Sequence, residues 1–195
     1  MKKIVILLFS LFVLSCTEVP EVEIRTSTNV PFHILLSNST GDIVGMGVPI
    51  QDQVFVTADH LLEHHKILQW QSVPLEIVAR DFDNDLLYFR LPTWRGIYPQ
   101  WSTSPPAVGS EIFWMDGSRL TEQKVHSVSN ITEDQIDKDV ITISGVSNLG
   151  NSGSPVFDAE GKIFGILVGG DKSEELSYVV RSDMILEILE ENMED

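Results

Sequence analysis

Three short stretches carry residue types that could cleave an acyl bond. Gly150, Asn151, Ser152, Gly153, Ser154 and Pro155 lie between two apolar runs, Val140 to Ile143 and Val156 to Leu167. A glycine–polar–serine–glycine turn at a strand end exposes a hydroxyl nucleophile. It also lets backbone N–H groups face the oxygen that becomes negative when a carbonyl is attacked. A serine hydroxyl is a weak nucleophile, so it needs a base, and the base needs an orienting acid. His60 follows the apolar segment Phe55, Val56, Thr57, Ala58 and the charged Asp59. Asp85 closes the polar run Asp81, Phe82, Asp83, Asn84 and directly precedes the apolar segment Leu86 to Leu91. That placement favours Asp85 as the orienting acid at a buried edge, with Asp81 and Asp83 as solvated turn residues.

The elements that must hold these residues read as short strands between turn signals. Candidate strands are Phe32 to Leu36, Ile43 to Ile50, Val54 to Thr57, Leu75 to Ala79 and Leu86 to Leu91. A second set is Glu111 to Met115, Gln123 to Ser129, Val140 to Ser144, Pro155 to Phe157, Ile163 to Val168 and Ser177 to Val180. Such spacing suggests a sandwich or barrel rather than alternating βαβ units. Between the sets, Pro92 to Gly109 holds Pro99, Pro105 and Pro106, too many prolines for a regular element, and it reads as a connection. Ser182 to Met193 puts Met184, Ile185, Ile188 and Leu189 on one face and Glu187, Glu190 and Glu191 on the other, a helical period capped by Ser182 or Asp183.

Taken together, Gly45, Met46, Gly47 and the segment ending in His60 resemble the "GSG…LTAAH" stretch of trypsin-like serine proteases. Asp85 to Leu91 resembles their "DLALLRL". The order His60, Asp85, Ser152 is that of the chymotrypsin-type triad, and two unrelated triad types place the same residues in other orders. Gly150 to Phe157 looks most like the V8-type glutamyl endopeptidases, and Ser177 to Leu189 resembles the protease domain of HtrA-type enzymes, with no PDZ module expected beyond it. The resemblance implies an all-β fold of two antiparallel six-stranded β-barrels with a short C-terminal α-helix. It implies a serine endopeptidase acting on peptides or proteins, with Ser152 as nucleophile, His60 as general base and acid, and Asp85 as orienter. The N–H groups of Gly150 and Ser152 would form the oxyanion hole. The primary pocket would have its base near Val146 and Ser147, with Leu167, Val168, Gly169 and Gly170 along the facing wall. None of these carries a fixed charge. Leu167 stands where glutamyl-specific relatives place a histidine, so a small or apolar residue is the expected preference. Asn151 replaces the aspartate that pairs with a freed N-terminal amine in trypsin-type zymogens. Asp59 replaces a small residue, and either points away from His60 or perturbs it.

Two competing readings follow from the same residues. His60, Glu63 and His64 fit H-x-x-E-H, a zinc pattern in which both histidines bind the metal from one helical face. A trypsin-fold lipoprotein that has lost activity and serves as a binding module is the other, with Asp59 as its main support. The expectation kept is a protease with no metal and no cofactor. His33 and His126 read as ordinary strand residues, and Trp70, Trp94, Trp101 and Trp114 as packing residues.

Composition limits the remaining options. The 195 residues are 43% hydrophobic, enough for a core, and carry a net charge of -16. Nucleic-acid binding needs a basic surface to neutralise phosphates, so that partner is not expected. Lys2 and Lys3 precede an apolar run, Ile4 to Leu14, too short to span a bilayer and suited to the core of a signal peptide. It ends in Val13, Leu14, Ser15 and Cys16, which resembles the lipobox of bacterial lipoproteins and holds the only cysteine. The resemblance implies lipidation of Cys16 and an exported protein anchored to a membrane of the cell envelope. Thr17 is compatible with the outer membrane of a two-membrane cell. The expected organisation is a leader over 1–15, an acidic tether over 16–30 and a protease domain over 31–195. Within that domain the first barrel covers about 31–91, the connection 92–109, the second barrel 110–181 and the helix 182–193.

Overall fold

The computed structural model describes residues 33–116, 119–133 and 136–193. The leader, the tether and Cys16 lie outside the described residues. The first half contains β1 (Ile34–Ser37), β2 (Ile43–Gln51), β3 (Val54–Ala58), α1 (His60–His65), β4 (Gln69–Trp70), β5 (Val73–Pro74), β6 (Glu76–Asp81) and β7 (Leu86–Arg90). Its seven strands form one curved sheet in the order β5-β4-β1-β2-β3-β7-β6, a half-barrel. The second half contains β8 (Glu111–Asp116), β9 (Arg119–Glu133), β10 (Ile136–Ser144), β11 (Pro155–Phe157), β12 (Ile163–Asp171) and β13 (Leu176–Arg181), followed by α2 (Ser182–Met193). Its six strands close into a barrel in the order β10-β13-β12-β11-β8-β9, every pair antiparallel. The fold is all-β and chymotrypsin-like, with the short C-terminal helix the sequence implied. β4 and β5 have only two residues each, too few for any alternation to show in the sequence.

Side-chain alternation accounts for two separate cores. On β10, Ile141 and Ile143 point into the closed barrel, where they meet Ile112, Trp114, Val125, Val156, Phe164, Leu167 and Val179. Val140, just before Ile141, points outward, as does Val180 beside Val179. These outward residues join Phe157, Ile163, Ile166 and Val168 in a larger cluster with Leu36, Val48, Val56, Leu87 and Phe89 of the first half. That cluster therefore joins the core of the half-barrel to the seam between the halves. Every residue of β3 is buried, because one face covers the half-barrel and the other the seam. Full burial of each such aliphatic or aromatic side chain contributes about 1.5–3 kcal/mol.

The connection and α2 tie the halves together. Trp94 packs edge-on against Phe55 at 5.2 Å and against Trp70 at 6.0 Å. Trp101 donates to the Pro49 carbonyl at 3.3 Å and bridges Ile163. The Ser182 hydroxyl donates to the Ser102 carbonyl at 2.6 Å. Ile185 and Leu189 of α2 are buried in the seam. The Tyr88 hydroxyl, from β7, donates to the Ile185 carbonyl at 2.9 Å. Burial, reinforced by the charge of Asp81, pushes the Tyr88 phenol well above its usual range, so it stays a donor.

Candidate active site

The nucleophile turn is shaped by its backbone. Asn151 N–H donates to the Asn148 carbonyl at 3.1 Å, closing a four-residue turn in which Gly150 is third. Gly150 has φ +94°, the sign a type II turn demands at that position. Ser154 N–H then donates to the Asn151 carbonyl at 2.9 Å. Two bonds pin the turn to β12: Gly153 N–H to the Leu167 carbonyl at 2.7 Å, and Leu167 N–H to the Ser154 carbonyl at 2.9 Å. A third reaches the other half, from Met46 N–H on β2 to the Ser152 carbonyl at 2.8 Å. Gly153 sits at φ +78° against the Met46 carbonyl and the Thr57 hydroxyl, so a side chain there would collide with both. Ser154, fully buried, donates its hydroxyl to the Met115 carbonyl. Among the described residues, the N–H groups of Gly150 and Ser152 have no protein acceptor.

His60 opens α1 and Asp85 closes the β6–β7 turn. Asp81 holds that turn: its carboxylate accepts from Asp83 N–H at 3.0 Å, Asn84 N–H at 3.2 Å and the Asn84 amide at 2.6 Å. The chain then enters the left-handed region at Asp85, φ +56°, a conformation that aspartate tolerates better than most residues. Asp85 grips the histidine twice. Its Oδ1 accepts from His60 N–H at 2.7 Å, and its Oδ2 lies 2.7 Å from His60 Nδ1. On the other side of the ring, His60 Nε2 lies 2.8 Å from Ser152 Oγ. A carboxylate only accepts, so Nδ1 carries the proton and Nε2 is left to accept from the serine hydroxyl. The structure thus brings His60, Asp85 and Ser152 into one hydrogen-bonded chain. The same two contacts occupy both ring nitrogens of His60, which removes it from the zinc arrangement with Glu63 and His64. Among the described residues no group of three or more His, Cys, Asp or Glu stands in a geometry that could hold a metal.

The two segments expected to form the pocket lie side by side. Ser147 donates to the Gly169 carbonyl at 3.3 Å, and Ser177 of β13 donates to the Gly145 carbonyl at 2.8 Å. Val146, Ser147 and Gly169 are partly exposed and Gly170 is open to solvent. Leu167 and Val168 differ. Leu167 is packed in the closed-barrel core and Val168 in the seam, so both support the wall from behind. Leu149, next to Gly150, is fully exposed. Asn151 is buried, and its side-chain N–H2 has no partner among the described residues.

A family model of the trypsin-like peptidase domain matches residues 45–166, a span containing all three residues of the chain just described. The chain belongs to the trypsin-like peptidase domain family. No curated protein sequence matches it. The Rv3671c protease of M. tuberculosis, in an inactive form, is similar in structure with a TM-score of 0.66 at 18% identity, covering 83% of this chain and 88% of that one. A serine endoprotease from Yersinia pestis gives 0.68 at 17% identity, over 85% of this chain and 64% of its own. The HtrA-type protease AlgW, solved with a decapeptide, gives 0.67 at 17% identity, over 78% and 52%. At such identities the likeness is one of fold.

Arg80 is the residue of the site that was not anticipated. Asp59, buried beside His60, has its carboxylate turned to Arg80 of β6, with Nε–Oδ1 at 2.6 Å and Nη2–Oδ2 at 2.7 Å. The only signal in the sequence is a single cation standing directly before the acidic turn 81–85.

Proposed function

We propose that this trypsin-like domain is an active serine endopeptidase. The observation that carries the reading is the continuous chain from Asp85 Oδ2 through His60 to Ser152 Oγ, with both links under 3 Å. Ser152 Oγ attacks the scissile carbonyl while His60 Nε2 takes its proton. His60 then delivers that proton to the leaving amine, and water, deprotonated by the same nitrogen, releases the acyl group from Ser152. Asp85 fixes the ring tautomer and stabilises the cation formed in each half-reaction. The free N–H groups of Gly150 and Ser152 serve the developing oxyanion. Losing one such donor costs about 2.7–4 kcal/mol in the transition state.

The pocket framed by Val146, Ser147, Gly169 and Gly170 takes a small or apolar side chain, since none of its residues supplies a charge. Leu167 and Val168 back that wall. A peptide library tests this: cleavage after acidic or basic residues would overturn it. The leader sequence and Cys16 support export and anchoring of the domain to a membrane of the cell envelope. Incorporation of labelled fatty acid, lost in Cys16→Ala, is the expected result. Among the described residues no helix is long and apolar enough to cross a membrane. The protease reading itself is tested with a fluorophosphonate probe. Wild type is expected to label and Ser152→Ala is not. Folded wild type that fails to label would refute the assignment.

A further inference from the structure

A charged pair adjoins the triad without touching the reacting atoms. Asp59 immediately precedes His60, and its side chain is only 4% exposed. A carboxylate in that position costs several kcal/mol in desolvation unless it is paired. Arg80 pairs it through a two-point contact, the geometry in which guanidinium and carboxylate match best. Arg80 is itself held from two further directions. Its guanidinium carbon lies 4.4 Å above the Phe82 ring, and Nη2 lies 3.8 Å from Glu63 of α1. The Asp59 carboxylate keeps the guanidinium firmly protonated.

The pair also closes a mechanical circuit. Asp59 N–H donates to the Asp85 carbonyl at 3.0 Å. Asp85 leads directly into Leu86, which pairs across the sheet with Asp81, the neighbour of Arg80. The path from the Arg80 side chain through Asp59, Asp85, Leu86 and Asp81 therefore returns to Arg80. Asp85 sits on this ring of bonds, and His60 is fastened to it through its peptide bond to Asp59 and its two hydrogen bonds to Asp85, so a shift of either strains the ring. Electrostatics adds a second effect. Asp85 is bonded to the imidazole, whereas the carboxylate of Asp59, one residue before His60 in the chain, is bonded to Arg80. Without Arg80, the Asp59 charge would also attract the proton on His60 and favour the cation before substrate is attacked.

We infer that Arg80 is a positioning residue for the triad: it fixes the His60 turn against the Asp85 turn and neutralises the buried charge of Asp59, the residue that precedes His60. The other polar groups around that ring are Asp85 from the β6–β7 turn, Ser152 from the nucleophile turn, and Glu63 and His64 on α1, with the His64 ring 5.7 Å away. Both rings are followed. This inference deepens the protease reading and rests on it for its kinetic part alone.

The test compares wild type, Arg80→Met, Arg80→Lys and the double variant Asp59→Asn/Arg80→Met. Histidine ring titrations are followed by NMR, and fluorophosphonate labelling rates are measured on the same samples. Arg80→Met is expected to move the His60 titration to higher pH than in wild type. Its labelling should slow roughly 10- to 100-fold, the usual cost of a small misplacement. The double variant is expected to return the titration to the wild-type position while labelling stays slow, because the charge is gone but so is the brace. Arg80→Lys keeps the charge without the fork, so its titration should stay near wild type and its rate fall between the extremes. An Arg80→Met protein with wild-type titration and rate would overturn the inference. If Arg80→Met does not fold, the double variant and Arg80→Lys decide, since wild-type labelling rates in both would overturn it equally. A wild type that never labels would refute the protease reading, whereas the titration would still judge the role of Arg80.

Discussion

The half-barrel and the closed barrel contribute to the site in different ways. The first half supplies His60 and Asp85, which lie 25 residues apart and are joined by two hydrogen bonds of 2.7 Å within a single sheet and its turns. The second supplies Ser152, 92 residues from His60 and reached across the seam by a side-chain contact of 2.8 Å to His60 and a backbone bond of 2.8 Å from Met46. The base and its orienter are thus assembled locally, while the nucleophile depends on how two cores sit together. A change within the first half should alter the quality of the base. A change at the seam should alter whether the base meets the nucleophile at all.

The largest expected effect tests the local pair. Asp85→Asn preserves shape but can offer a donor to Nδ1, which favours the wrong ring tautomer. Labelling of Ser152 by a fluorophosphonate should fall by about 10⁴-fold, with the folded state retained. A loss of less than about tenfold would show that Asp85 does not orient His60.

A matched pair of core truncations tests the seam. Ile166→Ala removes a side chain buried between the halves, and Ile141→Ala removes one buried inside the closed barrel. Each should lower the unfolding free energy by about 2–5 kcal/mol, measured by denaturant titration. Only Ile166→Ala should also slow labelling of the folded protein, because only it loosens the contact between halves. Equal slowing in both variants would break the distinction.

Sequence and structure diverge in an instructive pattern along these same lines. The residues around Ser152, His60 and Asp85 were legible because each bears a local signature: glycines at a turn, a polar residue at the end of an apolar strand, an acid at the start of one. α2 was legible from its 3.6-residue period, and its bounds, Ser182–Met193, are those expected. Side-chain partners over longer range were not. Asp59 reads as an anomaly in the sequence, and only the β6–β7 register, which sets Arg80 opposite Leu87, shows what neutralises it. The half-barrel adds two-residue strands that no periodicity can signal. The burial of Leu167 and Val168 depends on which face of β12 meets which core, a fact set by barrel closure rather than by the segment itself.

Gly153→Ala should be felt in both halves at once. The added methyl group would strike the Met46 carbonyl and the Thr57 hydroxyl, and the positive φ would add backbone strain. A cost of about 2–4 kcal/mol in thermal unfolding is expected, from overpacking and conformational strain together. The hydrogen bond between Met46 N–H and the Ser152 carbonyl should open as the halves separate, so amide exchange at Met46 should accelerate. Unchanged exchange at Met46 would mean that the turn, rather than the seam, absorbs the methyl group.

The smallest expected effect concerns the start of α2, where the second half reaches over to the first. Arg181 grips Asp183 with two contacts, at 2.9 and 2.6 Å, and its hydrogen bonding holds the Asp183 carboxyl below its usual value. A carboxylate whose folded-state value is depressed binds protons more readily in the unfolded chain. Its contribution is therefore complete above the ordinary aspartate range and is lost as the pH falls through the folded value. Asp183 is partly exposed, so solvent screening limits that contribution to about 0.5 kcal/mol. Asp183→Asn should accordingly lower stability slightly at neutral pH, and the difference from wild type should shrink as the pH drops below about 4. The labelling rate should stay that of wild type, because Ser182 and Tyr88 continue to fasten α2 through Ser102 and Ile185. A loss of labelling in Asp183→Asn would mean that the register of the two halves depends on this one ion pair, and that the seam is weaker than its buried core implies.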